Sequence, residues 1–133
     1  MVSDPDRLKK VGLFDGVTDE ERAELASWLD EEGFAEGMSI THEGQSDYAF
    51  FILDEGTVNV MHDGSQIGTL GPGDVFGELA LLGDGHRKAD AVAATEAVVL
   101  SMFGTHFREM QRSMPTIAKR LEELAASRQR ELG

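Results

Sequence analysis

The chain of 133 residues contains no cysteine. That excludes a disulfide framework, a cysteine-ligated metal site and a thiol nucleophile. No stretch approaches the roughly 18 consecutive apolar residues that a membrane-spanning helix requires. The opening residues, MVSDPDRLKK, lack the apolar core of a secretory signal. Together these absences lead to the expectation of a cytoplasmic protein without membrane contact. Positive charge is also scarce: 12 Lys and Arg stand against 25 Asp and Glu, a net charge of −13. A nucleic-acid binder gains affinity by neutralising phosphates, which this surface would repel, so direct nucleic-acid binding is not expected. The four histidines, His42, His62, His86 and His106, form no HxH or HExxH pattern. No nucleophile elbow or serine triad is visible. Gly71, Gly73 and Gly77 miss the dinucleotide spacing G-x-G-x-x-G by one residue. No catalytic residue, cofactor or metal is therefore expected.

What is present suits one domain, residues 1–133, with a single core: 41% of the residues are hydrophobic. The pattern predicts a helix over 18–32. Thr18 and Glu21 are spaced as a capping box, Leu25, Trp28 and Leu29 share one face, and Gly33 provides a stop. From residue 34 to 103 short strands alternate with turn signals. Residues 48–53 are apolar throughout and read as a strand buried on both faces. Asp63-Gly64 marks a two-residue hairpin, and Gly71-Pro72-Gly73-Asp74 another turn. This spacing indicates an antiparallel barrel or roll instead of βαβ units. Helical periodicity returns over 104–132, with Pro115 suited to the first position of the last helix and Ile117, Leu121, Leu124 and Leu132 on its apolar stripe.

The most informative stretch is residues 71–93, GPGDVFGELALLGDGHRKADAVA. A helical turn opening at Gly77 presents unpaired backbone N–H groups, which bind phosphate oxygens. Glu78 offers an acceptor of the kind that holds ribose hydroxyls, although a carboxylate at a helix start also has the simpler use of satisfying backbone N–H groups. Arg87 is a planar cation suited to phosphate. Cradle, hydroxyl acceptor and guanidinium together describe a site for a small sugar phosphate.

These residues resemble the cyclic nucleotide-binding domain family, the module of bacterial catabolite activators, of protein kinase A and G regulatory regions and of cyclic-nucleotide-gated channels. The resemblance runs over nearly the whole chain and is carried by FGELAL followed by Arg87-x-Ala89. It implies an α+β, mainly β fold: a jelly-roll-like antiparallel β-roll of about eight strands, with an N-terminal helix and two C-terminal helices. It also implies a ligand, cAMP or else cGMP. Glu78 matches the acceptor of the ribose 2′-hydroxyl and Arg87 the partner of the cyclic phosphate. Phe76, Gly77, Leu79, Ala80, Lys88 and Ala89 complete the binding segment, and Ile117, Arg120, Leu121 and Leu124 are candidates to cap the base.

Three positions depart from the family pattern: His86 stands where Pro is common, Lys88 where a small residue is usual, and Asp90 where Thr is frequent. On a strand Lys88 and Asp90 would share a face and pair. Two other readings follow from these departures and from the roll itself: a degenerate module retained for protein–protein contact, and a cupin-like metalloenzyme. Catabolite activators carry a DNA-binding domain after the last helix, whereas this sequence stops at Gly133. The output is therefore expected through a second copy or an effector, at the C-terminal helix, or through a domain of a longer protein.

Overall fold

The computed structural model describes residues 1–41, 49–78 and 89–132, with residues 131 and 132 described by backbone only. Thr18 caps helix α1, Asp19–Ser27, by the expected reciprocal bonds: its Oγ1 accepts from the Glu21 N–H at 3.1 Å, and its own N–H donates to Glu21 Oε1 at 2.9 Å. The helix does not continue to Gly33. Trp28 closes it, and Asp30–Phe34 forms strand β1. Asp30, Glu31 and Glu32 would have lain at the negative end of the helix dipole. On an edge strand their backbone pairs with residues 99–101 while their side chains reach water. Three charges on an edge also discourage pairing with another chain.

The remaining strands are β2 Ser39–Thr41, β3 Ala49–Glu55, β4 Val58–His62, β5 Ser65–Leu70, β6 Val75–Phe76, β7 Asp90–Ala93 and β8 Ala97–Phe103. They form two antiparallel four-stranded sheets, ordered β1-β8-β3-β6 and β2-β7-β4-β5. This is the expected roll. Asp63 and Gly64 have φ of 51° and 79°, the double left-handed geometry that joins two twisted strands in two residues. The turn into β6 closes with a bond from the Asp74 N–H to the Gly71 carbonyl, and Gly73 sits at φ 94°. A Cβ there would come within 2.5 Å of the Lys10 carbonyl oxygen, so the N-terminal segment lies directly on this turn.

Strand β3 explains how the two layers are joined. Ala49, Phe51 and Leu53 face the interior of the roll, with Val58, Phe76 and Val99. Phe50 and Ile52 face the opposite way, into a second core shared with Leu8, Phe14, Leu25, Leu29 and the C-terminal helices. Those helices are α2, Gly104–Ser113, and α3, Pro115–Leu132. Ile117, Ala118, Leu121 and Ala125 of α3 are buried, and Lys119, Glu122 and Glu123 are exposed. Among the described residues no helix is long and apolar enough to cross a membrane.

Candidate functional site

Phe76 ends β6 with its ring stacked on Phe51, centroids 5.2 Å apart, inside the roll. Gly77 follows at φ 84°, a conformation that side-chain-bearing residues rarely adopt, and this reverses the chain out of the strand. Glu78 is the next residue. The reversal carries its carboxylate inward, where the residue is 1% exposed.

A buried carboxylate is costly unless it is paired. The pairing comes from α3: Arg128 Nη1 donates to Glu78 Oε1 at 2.8 Å and to the Val75 carbonyl at 2.7 Å. Glu78 Oε2 is buried and has no hydrogen-bond partner among the described residues. One oxygen is therefore committed and the other is a vacant acceptor. Glu78 is thus more than a helix-start carboxylate.

Ala89 stands immediately before β7. Its carbonyl accepts from Thr41 Oγ1 at 3.3 Å, and the same hydroxyl accepts from the Ala91 N–H at 3.1 Å. The buried Thr41 thereby fixes the start of β7 against β2. Asp90 begins β7, opposite Met61 of β4. Leu79, Ala80, His86, Arg87 and Lys88 lie outside the described residues, as does any pairing of Lys88 with Asp90.

The four base-cap candidates have other partners in this structure. Ile117 and Leu121 are buried in the core between the sheet and the helices, and Leu124 packs on its edge. Arg120 donates to the Leu13 carbonyl at 3.2 Å and to the Asp15 carbonyl at 2.5 Å, which ties α3 to the N-terminal segment. The α3 side chain bonded to Glu78 is Arg128, which sequence reading did not single out. A signal existed: residues 117, 121, 124 and 128 recur at helical spacing, so Arg128 is a cation on the buried stripe, and such a cation needs a buried acceptor. Among the described residues no group of three or more His, Asp or Glu is placed to share a metal ion.

Residues 31–113 match the model of the cyclic nucleotide-binding domain. The cyclic AMP receptor protein of Thermus thermophilus is 33% identical over 129 residues, 93% of this chain and 60% of that protein. The chain thus spans less than two thirds of that relative's length. The solved catabolite activator protein of Thermus thermophilus superposes with a TM-score of 0.80 at 32% identity, covering 90% of this chain and 58% of its own. The regulatory domain of Toxoplasma gondii PKA, solved with cAMP, gives a TM-score of 0.80 at 27% identity over 92% of this chain and 48% of that one. By sequence match and by fold, the chain belongs to the cyclic nucleotide-binding domain family.

Proposed function

We propose that the chain is a non-catalytic, cytoplasmic regulatory module that binds a cyclic nucleotide, cAMP in preference to cGMP. The observation that carries this reading is the vacant, buried oxygen of Glu78 at the end of a roll of this family. The choice of cAMP is supported by the names of the relatives, a cyclic AMP receptor and a kinase regulatory domain solved with cAMP. In this reading Glu78 accepts the ribose 2′-hydroxyl and Arg87 pairs with the cyclic phosphate. Gly77, Leu79 and Ala80 line the sugar-phosphate, Phe76 and Ala89 bound the segment, and Lys88 adds a second cation.

Capping of the base by Ile117, Arg120, Leu121 or Leu124 requires α3 to leave its present contacts, because those residues now hold it to the core and to residues 13–15. Base contact and helix movement are then one event, with the hinge at residues 104–115. The ligand drives it only by its difference in affinity for the two positions of α3. The output passes through the polar outer face of α3 to a second copy or an effector.

The test is calorimetric titration of the purified chain with cAMP, cGMP and 5′-AMP. Saturable one-to-one binding of a cyclic nucleotide, with none for 5′-AMP, is the expected result. Arg87→Ala weakens that binding by about 1.5–3 kcal/mol, the scale of a hydrogen bond between charged groups. Absence of binding up to about millimolar, worth only about 4 kcal/mol, would favour a module kept for protein contact. Stoichiometric metal in the purified protein would instead favour the cupin-like enzyme.

A further inference from the structure

The junction of α2 and α3 meets the N-terminal segment across a cleft of about 220 Å³. Asp15, Gly16 and Glu21 form one wall, and Ser113, Thr116 and Arg120 the other. Buried Met114 and Ile117, with Val17, supply an apolar floor. The walls thus carry two carboxylates against one guanidinium, and Arg120 Nη1 is already spent on the Leu13 and Asp15 carbonyls. The Asp15 carboxylate has no partner among the described residues. Of Glu21 only Oε1 is engaged, by the Thr18 N–H. On a chain whose net charge is −13 this local balance favours a cation. The volume lies below the roughly 300 Å³ at which pockets for drug-sized ligands begin, and it suits a single extended side chain. Asp15, Gly16, Ser113, Pro115 and Thr116 are exposed, and a Cβ at Gly16 would meet nothing within 4 Å. The cleft is therefore open to a side chain projecting from another protein. A guanidinium on an alkyl arm fits each of these features, with its stem on the apolar floor and its charge at the carboxylates.

We propose that this cleft receives an arginine side chain of a partner protein, and that the occupant holds α3 against the N-terminal segment. The two walls face each other only while Arg120 stays on residues 13 and 15. An occupant touching both walls binds this position of α3 better than any other. Cyclic nucleotide, in the reading above, favours the other position, so each ligand weakens the other by the same factor. The antagonism rests on that reading; the cleft and its occupant do not.

The experiment titrates the full chain with N-acetyl-arginine methylamide, using N-acetyl-citrulline methylamide as the uncharged counterpart. Amide NMR is expected to show saturable shifts at Gly16, Thr116 and Ile117 with the arginine compound, at an affinity on the order of millimolar, and none with citrulline. Asp15→Asn/Glu21→Gln keeps the size of both side chains and weakens binding about five- to tenfold. Glu32→Gln/Glu36→Gln removes two charges from exposed positions elsewhere and leaves binding within about twofold. Filling the cleft with the arginine compound lowers cAMP affinity about fivefold, the lower end of usual couplings. Absent or unsaturable shifts, equal shifts with citrulline, or equal weakening by the two double variants overturn the site. Tighter binding of 1,4-diaminobutane than of the arginine compound overturns a partner protein as the source of the cation. An unchanged cAMP affinity with the cleft filled overturns the antagonism alone. A wild type that binds no cAMP overturns the cyclic-nucleotide reading and the antagonism with it, while the amide shifts still decide the cleft.

Discussion

Two buried carboxylates at opposite ends of the β3–β6 pair have opposite surroundings. Asp54 is 3% exposed and Glu78 1% exposed. The β3–β8 register shifts between Leu53 and Glu55, and at that bulge the Asp54 carboxylate meets the N-terminal segment. Arg7 donates to Oδ2 through Nε at 3.2 Å and Nη2 at 2.6 Å, while Lys10 pairs with Oδ1. Arg7 also pairs with Glu31 on β1. Both oxygens of Asp54 are used, by two cations. Among the described residues Glu78 has one cation and one idle oxygen. A carboxylate present only to fasten two elements has reason to be saturated, as Asp54 is. One left half-satisfied in a dry position retains unfavourable energy that a ligand can relieve, and such groups mark function more often than stability.

The sharpest way to break this contrast is to neutralise each carboxylate in turn. Asp54→Asn is expected to cost about 2–3 kcal/mol of stability in urea denaturation. That is somewhat below the usual penalty for breaking a buried pair, because Arg7 and Lys10 are partly exposed and can return to water. Cyclic-nucleotide affinity in that variant stays within about twofold. Glu78→Gln should give the mirror image: stability within about 1 kcal/mol of wild type, and cAMP affinity reduced by about 1.5–2.5 kcal/mol in calorimetry. Equal losses of stability from both substitutions would reduce Glu78 to a second fastener and withdraw the site assignment.

The contrast also separates what could be read in the sequence from what could not. The roll was legible because its signals are local. Asp63-Gly64 fixes a hairpin by backbone conformation, Pro115 starts α3, and the unbroken apolar run of β3 requires cores on both sides. Glu78 stood out as a candidate because Phe76, Gly77 and Glu78 are contiguous. The end of α1 was not, because Leu29 satisfies helical and strand periodicity equally, and pairing with β8, about 70 residues away, decided the matter. Arg128 was missed for a related reason. Its partner is 50 residues distant, and a stripe scanned for apolar residues passes over the charged one among them. Arg120 was the more conspicuous arginine, yet its donors go to the Leu13 and Asp15 carbonyls, an attachment no local pattern announces.

Acid titration is a gentler probe of the same difference. Burial alone pushes the Asp54 carboxyl up, but the hydrogen bonds from Lys10 and Arg7, with their charges, outweigh it and hold the group below the usual carboxylate range. A carboxyl whose pKa is lower in the folded than in the unfolded chain stabilises the fold above the unfolded value, about 3.9. That contribution shrinks as pH falls toward and through the folded value, because protonation then costs the native state its two ion pairs. Urea denaturation of wild type and Asp54→Asn at a series of pH values should therefore show two curves well separated at neutral pH that converge below about pH 4. The converging part is a fraction of the neutral-pH difference, since a protonated Asp54 still accepts from Arg7 and Lys10 as a neutral group. A gap that stayed constant into strong acid would mean that the carboxylate charge contributes nothing at the N-terminal anchor. Asp54 would then be held by shape and hydrogen bonding alone, and saturation by two cations would cease to distinguish it from Glu78.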